Sequence, residues 1–241
     1  MVKYGYILKA IENHTLKTHD GAGFKRTLTQ SLNKWAETHR TIKDHEEMAF
    51  YDDNGKEIFT QQNGEKDFVT MTDEDFNRVF NEETYHGLNL THNHNSLYID
   101  EVPTYLSTTD RDILLVKNNE GEYCFRSISA ETPNGTRVSI AKNNKFTKEN
   151  EDDYKYVFNE YNHACATYYD TYKDSRNKHA RQIKQEYNKQ GRKITGEELK
   201  EKSKKKAIKE IGTMKQYLTK KGYFDMFQEA NCKLWITDNE D

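Results

Sequence analysis

Between Tyr154 and Tyr172 the side chains of Tyr154, Val157, Phe158, Tyr161, Cys165, Tyr168 and Tyr172 recur at steps of three and four. That is the period at which one face of an α-helix meets its neighbour, and a strand would scatter the same residues over both of its faces. The span therefore predicts one long amphipathic helix with an aromatic stripe, read as a packing surface in preference to a platform for stacked bases. Gly191 and Gly196 bracket a break, "GRKITGEEL", before a second helix of roughly 25 residues. The closing stretch "GYFDMFQEANCKLWI" is apolar enough to fold back onto a core.

Upstream of Phe146 the period changes. Phe24, Leu28, Leu32 and Trp35 form a helical stripe behind an "HDGAG" turn, whereas Glu46 to Ile140 is a series of short apolar runs separated by turn signals. "EEMAFYDDNGKEIFTQQNG" reads as strand, Asn54-Gly55 turn, strand. Asp73 to Phe80 reads as a helix capped by Thr72, "LNLTHNHN" as a strand, and "STTDRDILLVKNN" as a helix with a Ser/Thr cap and an acidic first turn. "GEYCFRSISAE" and "TRVSIAK" read as strands joined through Thr132-Pro133-Asn134-Gly135. The expected class is α/β (α+β): a small mixed sheet with flanking helices, plus an N-terminal helix and long C-terminal helices. The corresponding segments are an N-terminal helical piece at 1–43, an α/β domain at 44–146 and a helical region at 147–241.

Composition narrows the function classes. No apolar run approaches the roughly 20 residues that span a bilayer, and "MVKYGYILKA" lacks the small-residue cleavage site of a signal peptide. A protein without membrane partners, kept in the cytoplasm where it is made, is expected. Cys124, Cys165 and Cys232 are odd in number and far apart, so neither a disulfide framework nor a cysteine zinc site is indicated. The Asn-, Lys- and Tyr-rich, proline-poor usage is a bias associated with AT-rich bacterial or phage genomes. Charge is segregated: Asp174 to Glu210 holds 13 Lys and Arg against 6 Asp and Glu, a surplus of seven, so the remainder carries −10 of the net −3. Such a block can bind nucleic acid, but Gln, Glu and Lys mixed at helical spacing favour a solvated helix.

The chemistry concentrates in "LNLTHNHN" and "STTD". On a strand, His92 and His94 project from one face and converge on one point. With a Ser-x-x-Asp at the next helix start they supply two imidazoles and a carboxylate, the ligand set of a catalytic zinc that keeps its fourth position for water. Glu46 or Glu47, at the head of an earlier strand, is the candidate general base, and Ser107 a candidate donor to an oxyanion. Each piece also has a plain reading, a structural histidine pair or a helix N-cap. His45, His86 and His163 receive no role. "HNHN" also has a slight resemblance to the motif of HNH nucleases, but the further downstream histidine that their ββα unit needs has no counterpart that can be placed here.

The order upstream Glu, His-x-His, Ser-x-x-Asp resembles the JAMM (MPN+, JAB-domain) zinc metalloproteases. "EEMAFYDDNG", "LTHNHN", "LSTTD" and "YCFRSISAETPNGTRVSI" are similar, more closely, to the JAB-like domain of phage minor head proteins, over about residues 45–141. The resemblance implies a JAB/MPN, cytidine-deaminase-like architecture and a Zn2+ cofactor. It places the metal ligands at His92, His94 and Asp110, the serine at Ser107 and the acid/base at Glu46. Asp112 is an alternative ligand, because Thr109-x-x-Asp112 fits the same register. Glu47 is the alternative base, and Glu46 is preferred because it shares a face with Met48 and Phe50. Asn95 stands where the family has proline, and the spacing from His94 to Ser107 is longer than usual. Two functions follow as expectations. One is a zinc-dependent peptidase or isopeptidase acting on a protein substrate. The other is a non-catalytic phage structural (minor head) or host-interfering protein, in the host cytoplasm or on the virion, that binds a protein partner through its helices.

Overall fold

A computed structural model describes residues 24–40, 44–62, 64–65, 68–83, 85–94, 106–132 and 135–237. The expected "HDGAG" turn, Asn95 and the Pro133-Asn134 centre of a turn lie outside these residues. Helix α1 (Arg26–His39) is followed by the hairpin β1 (Met48–Tyr51) and β2 (Glu57–Gln61). Next come α2 (Asp73–Asn77), running into a wide π turn at Arg78–Glu82, then β3 (Leu88–Asn93), α3 (Thr108–Ile113), β4 (Phe125–Glu131) and β5 (Arg137–Lys142). The chain ends with α4 (Glu151–Lys189), α5 (Gly196–Ile211), α6 (Met214–Lys220), α7 (Tyr223–Glu229) and β6 (Cys232–Thr237). The class is mixed α/β: one six-stranded sheet in the order β2-β1-β3-β4-β5-β6, flanked by helices.

All strand pairs are antiparallel except β3 with β4. A parallel pair needs a crossover, and the connection from β3 to β4 carries α3 on the way. Both faces of the sheet are covered, so β3 is buried at all six positions. One face holds Leu88, Leu90, Ile128, Val138, Ile140, Leu234 and Ile236, with Phe50, Phe80 and Phe125 packed edge-to-face and tilted at centroid distances of 4.9–6.1 Å. Against the other face α1 lays Leu28, Leu32 and Trp35, with Phe24 just before it, over Ala49, Tyr51, Ala141 and Trp235. Each such buried aliphatic contributes about 1.5–3 kcal/mol. Among the other positions of that second face Ser127 Oγ donates to Asn89 Oδ1 at 2.7 Å, and Ser129 and Ser139 are bonded at 2.7 Å, while Thr91 Oγ1 is buried without a hydrogen-bond partner.

Two features depart from the sequence expectation. The second long helix is 16 residues rather than roughly 25, because Gly212, at φ +82°, ends it and Thr213 starts α6 with a capping box to Gln216. The expected boundaries at 44 and 147 do not coincide with the compact units, which are residues up to 159 with 224 onward, and residues 160–223. The reason is β6: the apolar chain end returns as the sixth strand beside β5, and so belongs to the sheet unit.

Within the 160–223 unit α4 and α5 run antiparallel. Tyr187 OH donates to Glu198 at 2.8 Å near the turn, and Ser175 and His179 both bond Glu210 at 2.7 Å further along. Tyr161, Tyr168 and Tyr172 are buried there, while Tyr154 and Phe158 are buried in the sheet unit. The aromatic stripe is therefore core on both sides of the division. All three cysteines are free and buried. Among the described residues no helix is long and apolar enough to cross a membrane.

Candidate metal centre

His92 lies on β3 and His94 follows the strand's end, so alternation points both rings the same way. Their Nε2 atoms are 2.7 Å apart. The third member arrives on the crossover. Ser107 is the N-cap of α3, and Asp110, three residues on, closes a capping box with it. Asp110 Oδ2 accepts from Ser107 N–H at 2.6 Å and from its hydroxyl at 2.8 Å. Oδ1 is left 3.3 Å from His92 Nε2, while Oδ2 is 3.9 Å from His94 Nε2. The Ser-x-x-Asp is thus a helix cap whose carboxylate also faces the two imidazoles.

His92, His94 and Asp110 offer ligand atoms that all lie within 4.8 Å of one another, and the group can hold a metal ion. The donor set passes a fit test. A tetrahedral ion with bonds of about 2.0–2.2 Å separates its ligand atoms by roughly 3.3–3.6 Å. The His92–Asp110 distance is already 3.3 Å; the imidazole pair has to open from 2.7 Å and the His94–Asp110 pair to close from 3.9 Å. His92 and Asp110 are each 5 % exposed. Burial, together with the neighbouring His92, pushes the His94 pKa down to about 4 against the opposing pull of Asp110. Near neutral pH His94 is the uncharged imidazole, the form that donates a lone pair to a metal. His92 Nδ1 is buried without a hydrogen-bond partner.

Strand register separates the two candidate bases. Met48 of β1 pairs with His92 of β3, and cross-strand partners share a face. Carried two residues past Met48, the same register would bring Glu46 opposite His94, on the imidazole side. Glu46 is 9 % exposed. Glu47 faces the other way, where its carboxylate bonds His45 Nε2 at 2.8 Å and His39 Nε2 at 3.2 Å. The alternative ligand Asp112 is also displaced: it is exposed, and Arg111 grips both its oxygens at 2.7 and 2.9 Å, holding its pKa below the usual carboxylate range. A two-residue step around so short a helix turns the side chain away from the imidazoles.

Sequence reasoning left out Asn93. Its side chain is fully buried; Oδ1 accepts from Glu47 N–H at 2.6 Å and Nδ2 donates to the carbonyl of His45 at 3.2 Å. This clamp fixes the segment that carries Glu46 against the strand that carries both histidines. The signal was present as the middle residue of the His-x-His motif, whose side chain must point opposite to its neighbours. His45, given no role, and His39 turn out to be the partners of Glu47, while His86 pairs with Glu122 at 3.1 Å.

No protein-family model matches the chain, and neither a curated protein nor a solved structure matches it.

Proposed function

We propose that this chain is a zinc-dependent peptidase or isopeptidase of the JAMM type, phage or mobile-element encoded, that hydrolyses an amide bond of a protein substrate in the host cytoplasm. The observation that carries the reading is the convergence of His92, His94 and Asp110 from two separate elements. Two imidazoles, one carboxylate and a neighbouring glutamate are the parts that metal-assisted amide hydrolysis needs.

His92, His94 and Asp110 would hold the ion. When bound, zinc polarises the amide carbonyl and makes water more acidic. Glu46 accepts the proton of the attacking water and returns it to the leaving nitrogen as the C–N bond breaks, so one carboxylate serves as base and then as acid. Ser107 orients Asp110 through two hydrogen bonds. Acting as an oxyanion donor would require its hydroxyl to leave Oδ2, so orientation is the role its geometry favours.

The test is turnover and metal content measured together. Protein purified without chelator should carry about one zinc per chain and should cleave a peptide or lysine-linked isopeptide substrate, with chelation removing the activity and zinc restoring it. Hydrolysis that persists with no bound metal would sink the reading. The second reading, a non-catalytic minor head or host-interfering protein, is favoured by the separate compact unit at 160–223, which contributes nothing to the centre. It predicts metal without turnover.

A further inference from the structure

At the opposite end of β3 and β4 from His94, the sheet unit has an open cleft of about 240 Å3 lined by Gly87, Tyr123, Phe125, Lys142, Asn143 and Phe146, among others. The six residue steps from Leu88 to His94 put it roughly 20 Å from the candidate metal centre. Its walls are mostly carbon. Of the two cationic residues that line it, Arg126 and Lys142, Lys142 is only 5 % exposed.

The surroundings of that amine are unusual for a lysine. Nζ donates to the carbonyl of Leu114 at 2.5 Å and lies 3.7 Å from the Tyr123 ring centroid and 5.4 Å from that of Phe146. Among the described residues it has no carboxylate partner. The nearest acid, Glu151, is taken by Lys117 Nζ at 2.8 Å and Tyr123 OH at 2.7 Å. Arg126, on the cleft lining, is paired with Asp53. Two further neighbours, Cys124 and Cys232, are thiols held uncharged by burial, with pKa values pushed up to about 11 and about 12. Burial, helped by the nearby charge of Lys117 and opposed by Glu151, lowers Lys142 to about 7. A buried ammonium without a counter-ion is costly, and nothing along this wall supplies one.

We propose that this cleft binds a small organic monoanion, a carboxylate on an apolar body, with Lys142 as its counter-ion and Tyr123, Phe125 and Phe146 as its apolar walls. Size supports a small ligand, because the volume falls below the roughly 300–1,000 Å3 of drug-sized sites. A single carboxylate balances a single ammonium. A phosphate dianion would leave net charge against aromatic rings.

Benzoate, with neutral benzamide as its shape-matched control, provides the test on the full chain. Titration followed by amide NMR should give saturable shifts at Gly87, Asn143 and Phe146, with benzoate binding at least about tenfold more tightly than benzamide. Since the ligand selects the ammonium, affinity should be flat below pH 7 and fall about tenfold per pH unit above it. Lys142→Met should lose about tenfold or more in benzoate affinity, with zinc content unchanged. Equal binding of benzoate and benzamide, the absence of saturation at millimolar ligand, or undiminished binding by a folded Lys142→Met chain would overturn the proposal. Should that variant not fold, the pH profile of the wild type decides: an affinity that does not fall between pH 7 and 8.5 also overturns it.

Discussion

Asp110 accepts two hydrogen bonds from Ser107 through Oδ2 and turns Oδ1 to His92 at 3.3 Å. The carboxylate's orientation at the centre therefore depends on a helix cap. Asp110→Asn should release zinc with little loss of stability, since it removes the carboxylate charge but keeps a side-chain oxygen able to accept from the Ser107 N–H, as Asn150 does for Thr147. Ser107→Ala should cost about 1 kcal/mol of stability and lower zinc affinity about 10- to 100-fold without eliminating it. Competition with a chromophoric chelator and urea melts measure the two effects; equal zinc affinity in wild type and Ser107→Ala would refute the orienting role.

Glu46 and Glu47 are neighbours in sequence on opposite faces, so their variants should differ in kind. Glu46→Gln should lower amide hydrolysis about 100- to 10,000-fold with zinc stoichiometry and melting temperature retained. Glu47→Gln should leave the chemistry near wild type and lower stability, because His39 and His45 lose a buried charged partner. The reverse pattern would mean that the register through residue 46 does not continue from β1.

Asn93→Ala leaves the Glu47 N–H and the His45 carbonyl without partners in a buried place, at a cost of about 1–3 kcal/mol. Turnover should fall while zinc stays bound, since both ligating imidazoles remain and only the base-bearing segment is loosened. A kcat decrease with unchanged KM is the expected signature.

Lys142 sets a pH dependence of stability. Its folded pKa is lowered to about 7 from 10.5, so above pH 7 the unfolded chain binds the extra proton and stability rises with pH. The clean window is pH 7 to about 8.5, below the ordinary thiol pKa. Above it, the buried cysteines reverse the trend by ionising only when unfolded. The urea midpoint should climb across this window in wild type and be flat in Lys142→Met.

Gly55 ends the β1–β2 turn at φ +81°, beneath α1. A Cβ there would stand 2.5 Å from the Thr27 carbonyl and 2.7 Å from Ser31 Oγ, which itself donates to the Gly55 carbonyl. Gly55→Ala should destabilise by about 1–3 kcal/mol, combining left-handed strain with a lifted α1. A melting temperature equal to wild type would contradict that docking.

Legibility from sequence followed locality. Phe24, Leu28, Leu32 and Trp35, the stripe from Tyr154 to Tyr172, and Asn54-Gly55 were readable because each pattern repeats within one element. The choices between Glu46 and Glu47 and between Asp110 and Asp112 were harder, since they depend on which strand lies across from which and on how a six-residue helix is turned. Residues 232–237 were read only as apolar, because "CKLWIT" is equally consistent with packing as a helix end or an edge strand. Asn93 and Lys142 carry no short-range signal at all; only the fold reveals that one is a clamp and the other a buried amine with no carboxylate partner among the described residues.

The pairing of β5 with β6 joins positions on either side of a gap running from Lys142 to Cys232. On a ribosome adding about 5–20 residues per second, β5 waits on the order of 5–20 s for its neighbour. Through that interval its outer backbone groups form an open edge on an otherwise folding sheet, the kind of surface that recruits strands from other nascent chains. Lys142 and Arg137 stand at the two ends of this temporary edge. Charged ends on a short strand are a natural guard against such pairing until the last strand arrives.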